Sequence, residues 1–183
     1  MPWSIEVGCT LIDHARSWTI DRAVDQLRDL TLFVATMTVG LMAGVFVIYA
    51  NAIMPGLRST DDRTFVGAFQ AIDRAIINPL FLATFLGALI FTGAAAALHL
   101  GRHASPWIMV ALVLYLATVA ITFSVNVPSN NAIKAAGDPD QLAELGTVRA
   151  SFGERRWIRW NLVRAALSTM AFASLAWALG RAS

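Results

Sequence analysis

Residues 76–98 read IINPLFLATFLGALIFTGAAAAL, without one charged side chain. A helix needs about 20 mostly apolar residues to cross the hydrocarbon core of a bilayer, so this run is read as a membrane span. Three more runs of that kind occur, at 30–50, at 107–125 and at about 160–179. The last lies within ERRWIRWNLVRAALSTMAFASLAWAL (Glu154–Leu179) and carries Arg164. Nearly all other charges fall in the gaps. Lipid offers peptide groups no hydrogen-bond partners, which leaves helices as the reading for runs this long and this few. Composition agrees: of 183 residues, 57% are hydrophobic and 14% charged, and the mean hydropathy of +0.60 lies above the usual range of soluble domains. The expected fold is all-α: an integral membrane up-down-up-down four-helix bundle, with a short amphipathic helix between helices one and two.

Residues 1–28 form an extension to the four-helix domain at 29–183. MPWSIEVGCTLIDHARSWTIDRAVDQLRD mixes acids with arginines and has no apolar core of signal-peptide type. It reads either as a helix along the membrane surface, with Trp18, Ile20, Val24 and Leu27 as its apolar side, or as a poorly ordered extension. The single cysteine, Cys9, lies here, so the chain can build neither an internal disulfide nor a thiolate metal site.

Polar residues gather at one end of the expected bundle. Helix one ends in YANAIMPGLR, helix two begins in AIINPLFL, helix three ends in FSVNVPSNNAI and helix four begins in RRWIRWNLVR. An up-down-up-down order brings these four ends to the same membrane face. Asn51, Asn78, Asn126, Asn130, Asn131, Trp157, Trp160, Asn161 and Arg164 can converge there. Helical spacing aligns Trp157, Trp160, Asn161, Arg164 and Ser168 on helix four, and Tyr115, Thr118, Thr122 and Asn126 on helix three. Arg164 has two readings: its guanidinium snorkels to the headgroups, or it points inward to Asp73, Glu154, an asparagine carbonyl or an anionic ligand. Asn78, just before Pro79, also suits a helix cap. Pro55 and Pro128 suggest that helices one and three end or loosen at this face.

Between helices one and two, STDDRTFVGAFQAIDRAI reads as a lid helix capped by Ser59 or Thr60, with Phe65, Phe69 and Ile72 on its apolar side. Gln70 faces either the bundle mouth or solvent. Gly40 and Gly44, in GLMAG, permit close approach of a neighbouring helix and so a homo-oligomer through that face. His99 and His103 read as solvated residues at the opposite surface, too few for a metal site. The helices lack paired histidines for haem, and no phosphate loop, dinucleotide fingerprint or nucleophile elbow occurs. No metal and no cofactor is expected. The net charge of +2 is too small to suggest nucleic acid, which leaves the lipid bilayer as the expected partner.

Residues 40–89, the stretch TFSVNVPSNNAI and the segment Glu154–Leu179 together resemble the anthrone-oxygenase-like family of small four-helix membrane proteins, long a domain of unknown function. ANAxMPGL, INPxF, NVPxNN and RWNxVR carry the resemblance. It implies a cofactor-independent oxygenase that acts on a flat phenolic, anthrone-like substrate with molecular oxygen as co-substrate. Arg164 would stabilise an oxyanion, Asn126 and Asn161 would donate hydrogen bonds, and Trp157 and Trp160 would stack on the rings. Asn51, Gln70, Asn78, Tyr115, Asn130 and Asn131 complete the expected substrate site. A general base is not evident; Asp73 and Tyr115 are the candidates. The alternative class is a non-enzymatic lipid- or quinone-binding membrane subunit or scaffold. The resemblance is to bacterial members, hence a bacterial plasma membrane. There the larger Lys/Arg count of loops 51–75 and 126–159 assigns those loops to the cytoplasm.

Overall fold

The computed structural model describes the backbone of residues 3–182 and the side chains of residues 18–182. Cys9, His14 and the apolar or polar character of the extension before Trp18 therefore lie outside the described side chains. The order is α1 (Trp3–Ile48), a π-helical turn (Tyr49–Ile53), α2 (Met54–Arg58), α3 (Asp62–Ile76), α4 (Pro79–Leu98), α5 (Ser105–Ile121), a second π-helical turn (Thr122–Asn126), α6 (Val127–Ala135), α7 (Leu145–Phe152) and α8 (Glu154–Leu179). Among the described residues there are no strands. Residues 18–28 belong to α1 itself, continuous with the first span.

α1 packs on α4 and α8, and α5 packs on the same two helices. This closed square makes consecutive long helices neighbours, as the up-down-up-down order requires. Among the described residues, four helices are long and apolar enough to cross a membrane. Their inner sides carry Leu32, Ala35, Val39, Met42 and Phe46 on α1, and Ala88, Ala111, Ala171 and Leu175 from the others. Such rows at three- and four-residue spacing place one stripe of each helix in the core. Outward sides are equally apolar: Phe33, Met37, Leu86, Ile90, Val113 and Trp177 are exposed. In water that would be an aggregation surface; in a bilayer it is the lipid boundary. The chain is an integral membrane four-helix bundle.

Two features at one end go beyond a plain bundle. In each π-helical turn the amide of the following residue reaches five residues back: Met54 N–H donates to Tyr49 O, and Val127 N–H to Thr122 O. A proline, Pro55 or Pro128, comes directly after. Proline lacks the amide that a regular ladder needs, and the widened turn absorbs the break. These turns sit on the diagonal pair α1 and α5, so the bundle is loosened at one end from two opposite corners.

Over that end α2, α3, α6 and α7 form a helical cap with its own core of Met54, Phe65, Phe69, Ile133, Phe152 and Trp157. The segment expected to be the long loop 126–159 thus contains α6, α7 and the start of α8. α3 is capped by Asp61, which accepts from Thr64 N–H at 2.8 Å, in place of the expected Ser59 or Thr60. Arg149 ties the cap together. It donates to the carbonyls of Arg58 and Thr60, pairs with Asp62 and Glu154, and lies 4.2 Å from the Phe65 ring centroid. Gly153, at φ 68°, makes the left-handed joint from α7 into α8 that a side chain would strain. At the opposite end His99 is buried and its Nδ1 lies 2.8 Å from Ala95 O, contrary to a solvated histidine, because it closes the last turn of α4; His103 is exposed. Gly40 meets Phe172 of the same chain, so part of the GLMAG face is used within the bundle.

Candidate functional site at the capped end

α8 begins six residues before the span read from sequence, which sets Trp157, Asn161, Arg164 and Ser168 on one buried row. Arg156 and Arg159, off that row, are exposed. Asn161, fully buried, donates from Nδ2 to Phe46 O of α1 at 3.0 Å. Its Oδ1 accepts from Arg164 Nη2 at 2.8 Å, while Arg164 Nη1 donates to Thr122 Oγ1 of the second widened turn at 3.2 Å. The guanidinium lies 4.5 Å from the Phe46 ring centroid and 5.7 Å from that of Trp157. Arg164 is only 5% exposed, and its Nε has no hydrogen-bond partner. Snorkelling is thereby excluded: the cation points into the bundle.

No carboxylate neutralises Arg164 among the described residues. Glu154 pairs with Arg58 and Arg149, and Asp73 pairs with Lys134 at 2.6 Å. Asp73 stands in the last turn of α3, 5% exposed, where its Oδ1 accepts from Asn130 Nδ2 at 2.6 Å. Asn130 Oδ1 in turn accepts from Trp157 Nε1 at 2.7 Å. This relay fixes α3, α6 and α8 relative to one another. Asn126, buried, donates to Trp157 O at 3.4 Å and leaves its Oδ1 unpaired.

Arg164, Asp73, Asn126 and Asn130 border one cavity of about 120 Å³. Its walls are mainly apolar: Phe46, Tyr49, Phe69, Ile76, Phe81 and Trp157. Asp73, Thr122, Asn126, Asn130, Lys134 and Arg164 supply its polar points, with Asn131 at its exposed edge. A small number of convergent polar groups in an otherwise apolar pocket is the general make-up of a small-molecule site. Among the described residues no three of His, Cys, Asp and Glu gather to hold a metal ion.

Five of the expected substrate residues lie elsewhere, each for a physical reason. Asn51 falls off the buried row of α1, because the widened turn continues that row through Tyr49 and Met54; it is exposed in an outer groove beside Leu162 and Thr169. Gln70, buried, spends its amide on the carbonyls of Ile133 and Gly137. Asn78 is the α4 cap, accepting from Phe81 N–H and donating to Ala75 O. Tyr115 donates its hydroxyl to Phe85 O, deeper in the core. Trp160 is half-buried, one position off the inner row of α8. Asn161 stands behind Arg164 and orients it. Lys134 and Tyr49 were not singled out from sequence. Tyr49 had a signal, three residues from Phe46; Lys134 had none, since a lone lysine in a polar loop is ordinarily solvated.

The family model described as "Anthrone oxygenase" matches residues 65–174, more than half of the chain. The chain belongs to the anthrone oxygenase family. No curated protein and no solved structure matches it.

Proposed function

We propose that this member of the anthrone oxygenase family binds a flat phenolic ketone of anthrone type in the capped cavity and passes it to molecular oxygen, with no bound cofactor. One observation carries the reading: Arg164 is a buried cation on the cavity wall, without a carboxylate partner among the described residues and with Nε unbonded. A buried charge left in this condition favours a ligand that supplies an anionic oxygen.

An anthrone loses a proton from its methylene carbon, and the charge of the resulting anion rests largely on the ketone oxygen. Oxygen adds at that carbon: a C–O bond forms with the anion's electron pair, and the peroxide takes up a proton. Loss of the second C–H proton with cleavage of the O–O bond expels water and leaves a second carbonyl. Substrate plus O₂ gives quinone plus water. Arg164, already oriented by Asn161 and Thr122, faces the oxygen that gains charge and needs little reorganisation as it does so. Phe46 and Trp157 offer ring faces and edges to the substrate. Asn126 Oδ1 accepts a phenolic hydroxyl. Following the Lys/Arg excess of the connecting segments, we take the cavity end to face the cytoplasm of a bacterial plasma membrane.

The test is oxygen uptake by the detergent-purified protein supplied with anthrone, compared with Arg164→Gln of unchanged thermal unfolding. The expected loss is at least about 100-fold, the scale of removing one preorganised oxyanion donor. Retained turnover in the variant overturns the role of Arg164. Absence of uptake by the parent, with an unchanged lipid or quinone recovered from it, assigns the cavity to a non-enzymatic binding subunit.

A further inference from the structure

We infer that Asp73 is the catalytic base of this site, with Lys134 and Asn130 as its positioning residues; the inference rests on the oxygenase reading above. Of the cavity-lining residues, Asp73 alone carries a carboxylate. It is buried; its Oδ1 accepts a hydrogen bond from Asn130, while its Oδ2 lies in an ion pair with Lys134 but has no hydrogen-bond partner. A carboxylate has about four lone-pair sites, so one contact on each oxygen leaves room to accept a proton.

Placement matters as much as identity. Asp73 and Arg164 border one cavity from different elements, yet they do not pair: Asp73 is within 4.0 Å of Lys134, and Arg164 of no carboxylate among the described residues. Opposite charges in a low-dielectric pocket attract strongly, and only a rigid frame keeps them apart. That frame is the Asp73–Asn130–Trp157 relay on one side and the Arg164–Asn161–Phe46 anchor on the other. An anthrone has its ketone and its methylene on opposite sides of the central ring. A separated cation and base match that layout. Asp73 takes the methylene proton as the C–H bond breaks, the electron pair moves toward the ketone oxygen at Arg164, and the carboxyl proton is available to the peroxide that forms after O₂ adds.

The experiment separates proton removal from oxidation. Under strict exclusion of oxygen, in deuterated buffer, the parent protein is expected to accelerate exchange of the methylene protons of anthrone over buffer alone. Asp73→Asn is expected to lose at least about 100-fold of that acceleration, the range of a general base, while anthrone still quenches its tryptophan fluorescence with affinity within a few-fold of the parent. Asp73→Glu, which restores a carboxylate, is expected to recover part of the exchange. Exchange by Asp73→Asn equal to the parent's overturns the assignment of the base while leaving the oxygenase reading intact. So does exchange no better in Asp73→Glu than in Asp73→Asn when both bind anthrone. A parent protein that neither exchanges the proton nor consumes oxygen overturns the oxygenase reading and this inference with it.

Discussion

Arg164 donates a 2.8 Å hydrogen bond to Oδ1 of Asn161, three residues before it on α8, and Asn161 is itself anchored to Phe46 O of α1. A guanidinium with the reach to find the headgroups is turned inward by an amide that a neighbouring helix holds. The pair explains why a permanent cation is tolerated inside a span: three of its interactions, with Asn161, Thr122 and the Phe46 ring, are built before any ligand arrives. The charge is positioned, and among the described residues no carboxylate neutralises it.

Asn161→Leu removes that anchor. Phe46 O and Arg164 Nη2 both lose a buried partner, which costs about 1–3 kcal/mol for each group left unsatisfied. The expected result is a lower thermal midpoint in detergent and weaker anthrone quenching, with Trp160→Leu, one position off the inner row, as the milder comparison. Equal stability and equal quenching in Asn161→Leu and the parent would show that Arg164 needs no orienting partner.

Gln70→Leu cuts the tie between α3 and the end of α6. Two carbonyls, those of Ile133 and Gly137, lose their donor, so the cap is expected to loosen by about 1–3 kcal/mol. Faster limited proteolysis within residues 135–146, with the spans still intact, is the readout. A cleavage rate unchanged from the parent would mean that the aromatic core of the cap is sufficient.

Asp61 gives α3 a pH-sensitive start. The Thr64 N–H donates to its carboxylate and holds it below the usual aspartate range, with the Thr64 hydroxyl adding to the effect. A depressed folded value means that the stabilisation is present above the unfolded value of about 3.9 and fades as pH falls through the folded one. Amide exchange in the first turn of α3 is expected to rise only below that point. Asp61→Asn keeps a capping side chain without the charge and should flatten the dependence.

Gly40→Ala tests the close approach of α1 and α8. A Cβ there would stand 2.8 Å from the Phe172 ring, whereas at Gly44 it would meet nothing. Phe172 is partly exposed and can move, so the expected cost is about 1 kcal/mol, at the low end for overpacking. Gly44→Ala should unfold like the parent; the opposite ranking would place the helix contact elsewhere.

Much of this architecture is written in the sequence because a bilayer makes composition decisive. A run such as 76–98 has no charge to accommodate, and only a helix satisfies its backbone in lipid. The same logic found the polar end, and the helical period found the inner row of Trp157, Asn161, Arg164 and Ser168, though it also counted Trp160, which lies one position off it. What the tertiary structure decided is which polar residues face the cavity. Asparagine and glutamine serve equally as helix caps, carbonyl clamps and ligand contacts, so Asn78 and Gln70 could not be told from Asn126 and Asn130 by type or spacing. The widened turns at Tyr49–Ile53 and Thr122–Asn126 shift the register by one residue, which carries Met54 to the inner side and leaves Asn51 outside. The pairing of Asp73 with Lys134 joins residues far apart in the chain, across a cap that forms only when α3, α6 and α7 bury their aromatic faces together. Local pattern fixes an element and its inner side; contacts between elements fix which of its polar groups remain free for a ligand.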